Sequence, residues 1–148
     1  MSDRLLQLQR ELIEAFNRRD WQGMRKLYAP QVRWGALPTG AGTTVEGVDA
    51  LVDFFETFVR DSIPDLKFTF QRGVASDDTS VVEVLWEGTQ TGPIEASFGS
   101  FPASGKPFRI YATYWTRWED KQVVDVRAYI DNLGMMIQVG ALAMPSDA

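Results

Sequence analysis

The stretch PFRIYATYWTRWEDKQVVDVRAYIDNLGMMIQVGAL, Pro107 to Leu142, decides the fold. Ile110 to Trp118 is dense in aromatic and β-branched residues, the composition of a strand. Glu119-Asp120-Lys121-Gln122 is a polar break that predicts a tight turn. From Val123 to Ile130, Val124, Val126, Ala128 and Ile130 alternate with Asp125, Arg127 and Tyr129. Period two gives a strand one apolar and one polar face. On the first strand Ala112, Tyr114, Thr116 and Trp118 share a face, with Arg117 opposite. These faces are expected to floor an internal pocket, and the chain then closes with a helix.

Outward from this hairpin the remaining elements follow in order. Ser2 or Asp3 can cap a first helix carrying Leu5, Leu6, Leu8, Leu12, Ile13 and Phe16 at helical spacing, ended by Asn17-Arg18-Arg19-Asp20. Trp21 to Leu27 predicts a second, short helix, which Tyr28-Ala29-Pro30 stops. Gln31 to Gly35 predicts a short strand with Val32 and Trp34 on one face, and residues 36 to 46 a small-residue loop. Gly47-Val48-Asp49 opens a third helix bearing Leu51, Phe54, Phe55, Phe58 and Val59. Strands are predicted at Leu66–Gln71 and Ser80–Thr89, with Asp77-Asp78 a turn and 91 to 106 an irregular connection. Helices segregated from a run of strands predict one α+β domain over residues 1–148. The expected form is a cone, a strongly curved mixed or antiparallel sheet wrapped on three N-terminal helices, with a short closing C-terminal helix.

Composition excludes several function classes. The chain has 148 residues, no histidine and no cysteine. That removes disulfides, thiolate zinc sites, Ser-His and Cys-His dyads and the commonest general base. A formal net charge of −5 without a basic cluster argues against nucleic acid. No apolar run reaches the roughly 20 residues of a membrane span, and the amphipathic N-terminus does not read as a signal peptide, so a cytoplasmic protein is expected. No glycine-rich phosphate motif or carboxylate cluster suggests a cofactor or a metal, and none is expected to copurify.

The ordered motifs resemble the SnoaL-like polyketide-cyclase family of the nuclear-transport-factor-2-like superfamily. Glu14 to Trp34 resembles the family's Asn-x-x-Asp followed by Leu-(Phe/Tyr)-Ala-Pro-x-Val-x-Trp. Glu46 to Phe68 resembles Glu-Gly-…-Pro-Asp-Leu-x-Phe, and Gly99 to Phe108 resembles Gly-x-Pro-Pro-Thr-Gly-Arg. Asp131 to Gly140 is similar to Asp-x-Leu-Gly-Leu-Leu-x-Gln-Leu-Gly. The resemblance spans nearly the whole chain and implies the cone fold and sheet-to-sheet homodimers. It also exposes departures. Where the family's last strand carries Glu-His-x-Asp-x-x-Asp, this chain has Val126 for the histidine and Ala128 for the acid/base aspartate, keeping only Asp131. Tyr114 and Gln90 occupy two further positions where relatives carry histidine.

The polar candidates left for catalysis are Asp131 and Tyr114. Asp131 reads either as an acid/base or as the N-cap of the closing helix. Tyr114 reads either as a carbonyl holder and weak acid or as a core tyrosine. Trp34, Trp86, Trp118, Thr116, Val126 and Ala128 are the candidate substrate-binding wall, plain core packing being the alternative for each tryptophan. Glu83 and Glu87 are read as outward or at a dimer interface, and Arg109, Arg117 and Arg127 as outer-face residues. An apolar aromatic pocket suits a hydrophobic small molecule. The first expectation is a natural-product cyclase or isomerase acting on a polyketide- or terpenoid-type molecule without a cofactor. The alternatives are a non-catalytic, dimeric hydrophobic-ligand binder and an epoxide-hydrolase-like enzyme. Tyr111, Thr113, Trp115, Arg117, Asp125, Arg127 and Tyr129 form the outer face expected to pair two copies.

Overall fold

The computed structural model describes residues 2–36, 42–97 and 99–143. The order is α1 (Ser2–Asn17), α2 (Trp21–Leu27), β1 (Tyr28–Ala36), β2 (Thr44–Glu46), α3 (Val48–Asp61), β3 (Lys67–Ser76) and β4 (Thr79–Thr89). Then come β5 (Ile94–Ala96), β6 (Gly99–Phe101), β7 (Pro107–Glu119), β8 (Gln122–Ile130) and α4 (Asn132–Gln138). Six strands form an open sheet in the order β2-β1-β8-β7-β4-β3, while β5 and β6 pair separately. Only β1 with β8 is parallel within the sheet. This is the mixed α+β architecture read from the sequence. No described helix is long and apolar enough to cross a membrane.

Three stretches differ from the sequence reading, each for a local reason. The strand expected from Gln31 begins at Tyr28. Its register against β8 slips between Tyr28 and Arg33, so Pro30 lies where no ladder donor is needed. The loop expected over 36 to 46 ends in the edge strand β2, its residues 37–41 lying outside the described ones. The connection over 91 to 106 contains the β5–β6 pair, whose strands of three residues are too short to show a period. A further slip between Arg117 and Trp118 shifts the alternation of β8. Val123, not Val124, is the fully buried valine there.

Side-chain staples join the helical layer to the sheet. The Asn17 amide donates to the Phe68 carbonyl at 2.7 Å and accepts the Phe68 N–H at 2.9 Å, imitating one rung of a ladder. Arg19 donates to the Leu66 carbonyl at 2.6 Å, and its positive φ of 59° turns the chain out of α1. Asp20 then caps α2 through the Gly23 N–H at 2.9 Å. Asp65 accepts both the N–H and the hydroxyl of Thr89 at 2.8 Å, fixing the end of β4. Gln138 of α4 exchanges two bonds with the Arg109 backbone, at 2.7 and 2.9 Å. α1 packs on β3, and Leu6 comes close enough to Gly73 that a Cβ there would sit 3.0 Å from the Leu6 methyl.

The Asn17 staple generates a test. Asn17→Ala removes two partly buried hydrogen bonds and leaves both Phe68 groups unpaired, a loss of about 2 kcal/mol at roughly 1 kcal/mol per bond. Urea denaturation of the variant should show this, and Asn17→Asp, which keeps the acceptor, should lose about half as much. A change under about 0.5 kcal/mol for Asn17→Ala would mean that water replaces the staple.

Candidate functional site

The site begins with the inward stripe of α1. Leu5, Gln9, Leu12 and Phe16 follow one another at helical spacing, so Gln9 is the single polar residue in an apolar row. It is 5% exposed and faces the sheet beside Leu12 and Ile13. β1 contributes Tyr28 and Trp34, α3 contributes Phe55, and β3 contributes Phe68. From β7 and β8, Tyr114 pairs with Ala128 and Thr116 with Val126 in directly opposed positions. Opposed residues share a face.

Two chambers lie between the helices and the sheet. The first, about 40 Å³, is lined by Gln9, Tyr28, Tyr114, Thr116, Val126 and seven apolar neighbours, including Met24, along with Trp34. We term it the tyrosine chamber. The second, about 100 Å³, is lined chiefly by Phe54, Phe58, Trp86, Ile94, Ile130 and Met135. Phe16, Trp34, Phe55 and Phe68 border both and form a collar between them. The collar is rigidly packed. Phe16 stacks on Phe68 with centroids 4.1 Å apart, and Trp34 meets Phe55 edge-on at 5.6 Å.

The polar groups of the tyrosine chamber are tied at their backs. Trp86 Nε1 donates to the Tyr114 hydroxyl at 2.9 Å. Trp118 Nε1 donates to Ser80 Oγ at 2.9 Å, and Ser80 Oγ in turn donates to Gln9 Oε1 at 3.4 Å. The Tyr28 hydroxyl has no hydrogen-bond partner among the described residues, and neither does the buried Thr116 Oγ1. No lining residue of this chamber is charged. Burial pushes the Tyr28 phenol above its ordinary value of 10.0. Burial raises Tyr114 as well, an effect opposed by the Trp86 hydrogen bond and reinforced by the neighbouring Tyr28.

The structure therefore divides the residues singled out by sequence. Tyr114, Thr116, Val126 and Trp34 come together in the tyrosine chamber, and Trp34 also borders the aromatic one with Trp86. Trp118 and Ala128 are buried but line neither chamber. Trp118 sits at the β7 bulge with its indole bound to Ser80, and Ala128 lies between Ala36 and Tyr114 in the ladder. Of the two readings of Asp131, the structure shows the helix cap. Its carboxylate accepts the Gly134 N–H at 2.9 Å as the N-cap of α4, it is exposed, and it borders neither chamber. A Cβ at Gly134 would lie 2.3 Å from that carboxylate and would displace it from the cap. Gln90 is fully buried, its amide donating to the Pro102 carbonyl at 3.0 Å, outside both chambers. Glu83 and Glu87 face outward beside Arg72 and Arg109, at 3.4 and 3.9 Å. Among the described residues no group of three or more His, Cys, Asp or Glu is placed to hold a metal. Sequence reasoning missed Gln9, Tyr28 and Ser80. The break in the α1 stripe was the available signal for Gln9, whereas Tyr28 was hidden by being read as a helix stop.

The raised phenols carry a pH dependence. Above pH 10 the unfolded chain gives up phenolic protons that the folded chain keeps, so stability is fully present below that pH and falls as pH rises. Each of Tyr28 and Tyr114 contributes a slope of up to about 1.4 kcal/mol per pH unit. Denaturation midpoints between pH 9 and 11 should fall less steeply in Tyr28→Phe/Tyr114→Phe than in the parent. Parallel slopes would mean that these phenols titrate freely in the fold.

Comparison with known proteins agrees with this architecture. No match was found among curated proteins. TsrD from Streptomyces laurentii is similar at 24% identity with a TM-score of 0.77, covering 93% of this chain and 95% of its own. IdmH from Streptomyces antibioticus, a candidate polyketide cyclase, is similar at 25% identity and a TM-score of 0.75, over 92% of this chain and 98% of its own. AclR from Streptomyces galilaeus, a candidate hydroxylase, shares 20% identity with a TM-score of 0.80, over 99% and 91%. The family model described as SnoaL-like polyketide cyclase matches residues 6–139, which contain every element from the stripe of α1 to the end of α4, and the chain belongs to that family.

Proposed function

We propose that this chain is a cyclase or isomerase of natural-product biosynthesis, acting without a cofactor on a hydrophobic polyketide- or terpenoid-type molecule held inside the cone. The observation that carries the reading is the aromatic collar between an apolar chamber and one that ends in Tyr114. Such an interior suits a folded, largely apolar substrate with few polar handles. The family membership supports a cyclase or isomerase role. The mechanism must differ from carboxylate-driven acid/base work, because Val126 and Ala128 stand where relatives carry His and Asp, and Asp131 is committed to its cap. Rate then comes from orientation of the reacting atoms by the collar, and from a neutral Tyr114 hydrogen bond to oxygen on the substrate.

A second reading, a non-catalytic binder of a hydrophobic ligand, is favoured by the same Val126 and Ala128. An epoxide-hydrolase-like activity is disfavoured by Ala128, since water activation there needs a carboxylate. The deciding experiment presents polyketide, polyene and terpenoid intermediates to the protein, with product read by mass spectrometry beside thermal shift. The cyclase or isomerase reading expects product, a loss of roughly 10²-fold in kcat for Tyr114→Phe and nearly full turnover for Asp131→Asn. Ligand-induced stabilisation without product anywhere in the panel would establish the binder. A large rate loss in a folded Asp131→Asn would return acid/base chemistry to that residue.

The outer sheet face supports a homodimer as part of this proposal. Trp115 is 52% exposed and Tyr111 50%, beside Tyr129, Arg117, Asp125 and Arg127. Exposed aromatics among charges of both signs make a self-complementary surface. Light scattering at micromolar concentration should give twice the chain mass of 16.7 kDa, and Trp115→Glu should halve it. A monomer in the parent protein would remove the dimer.

A further inference from the structure

We infer that the tyrosine chamber is a recognition site for the carbonyl oxygen of an uncharged ligand, with Gln9 and Tyr114 as its two oriented donors. The inference rests on the reading that the interior holds the substrate, and it adds the chemical class that the chamber selects. Two hydrogen-bond relays set the direction of these donors. An indole N–H can only donate. Trp86 Nε1 therefore fixes Tyr114 Oη as its acceptor at 2.9 Å, which leaves the phenolic hydrogen for something else. Trp118 Nε1 likewise makes Ser80 Oγ an acceptor at 2.9 Å, so Ser80 donates onward to the Gln9 carbonyl oxygen at 3.4 Å. The Gln9 amide is thereby oriented with its NH₂ group unclaimed, since it has no other partner among the described residues.

Both relays start on the sheet, at Trp86 of β4 and Trp118 of β7, and they end at the lining of the chamber from two sides, with Tyr114 on β7 and Gln9 on α1. Tyr28, 5% exposed and unpartnered among the described residues, adds a further hydroxyl beside them. No carboxylate lines the chamber, and the hydroxyls of Tyr28 and Thr116, themselves unpartnered among the described residues, are the weaker acceptors there. Oriented donors that face this space without a protein acceptor favour a ligand that brings one. A carbonyl oxygen has two lone pairs and no hydrogen, which matches donors converging from two sides. A carboxylate is disfavoured, because no cation lines the chamber to offset the desolvation of its charge. The volume of about 40 Å³ admits the oxygen and the atoms next to it, while the rest of the ligand lies past the collar in the aromatic chamber.

Three probes of nearly one shape test this: acetophenone, α-methylstyrene, in which CH₂ replaces the carbonyl oxygen, and benzoate. Binding is followed by NMR through the methyl groups of Met24 and Val126, which line the chamber. Acetophenone should bind about tenfold more tightly than α-methylstyrene and benzoate. Gln9→Leu and Tyr114→Phe should each reduce the acetophenone preference several-fold and leave α-methylstyrene unchanged. Gln9→Leu fills the apolar stripe of α1 but strips the Ser80 hydroxyl of its acceptor, so unchanged α-methylstyrene binding by that variant is the control that separates a lost preference from unfolding. Equal binding of acetophenone and α-methylstyrene, failure of both to shift these methyls, or an unchanged preference in both variants would overturn the carbonyl site. Turnover in the substrate panel is read separately. Carbonyl preference without turnover would sink the enzyme reading and keep this site, and turnover with no carbonyl preference would do the reverse.

Discussion

The parallel pairing of β1 with β8 is the contact on which the rest depends. It joins a strand that follows the N-terminal helices to the last strand of the chain, with Trp34 beside Val126 and Ala36 beside Ala128. Every other pairing in the sheet is antiparallel, between β1 and β2 or among the strands from β3 onward. Without that one junction, Tyr28 and Trp34 would not stand across the same space as Tyr114 and Thr116. Parallel pairing of segments so far apart in sequence is slow and entropically demanding, and the apolar surface buried around it must offset that cost. Val32, Val123 and Ala128 at the junction are completely buried.

The residues that mark the family prove to be joints of the fold. Asn17 and Asp20 of the Asn-x-x-Asp motif pin α1 to β3 and cap α2. Asp65 of Pro-Asp-Leu-x-Phe holds the end of β4, and Leu66 and Phe68 enter the core. Asp131 and Gln138 near the C-terminus cap α4 and bind it to β7. A carboxylate or amide at a helix end satisfies backbone groups that would otherwise be orphaned. These polar motif residues therefore report the fold, whereas Tyr28 and Trp34 of Leu-(Phe/Tyr)-Ala-Pro-x-Val-x-Trp also line the tyrosine chamber.

The sequence made the architecture legible because long elements carry long periods. The alternation along β7 and β8 located the inner face, and the stripes of α1 and α3 located the helices that cover it. What stayed hidden depended on short or tertiary features. β2, β5 and β6 have three residues each, fewer than a period can mark. The roles of the tryptophans were not separable from sequence, because Trp34, Trp86 and Trp118 differ only in what stands opposite them: a collar, a tyrosine and a serine. Asp131 showed both a capping and a catalytic signature, and only the Gly134 N–H bond assigns it. Gln9 was visible as a flaw in an apolar stripe. Its meaning required the Trp118–Ser80 relay, which spans 109 residues of chain between Gln9 and Trp118.

The central claim is that the interior between the helices and β7–β8 is the working site and that its tyrosine end grips an oxygen. The most direct measurement is a crystal structure of the protein soaked with acetophenone. The account predicts the ligand oxygen at hydrogen-bond distance, about 3 Å, from Tyr114 Oη and Gln9 Nε2, with the ring against Phe16 and Trp34. Acetophenone seated instead wholly in the aromatic chamber, with its oxygen away from Tyr114 and Gln9 and the tyrosine chamber unchanged, would contradict it.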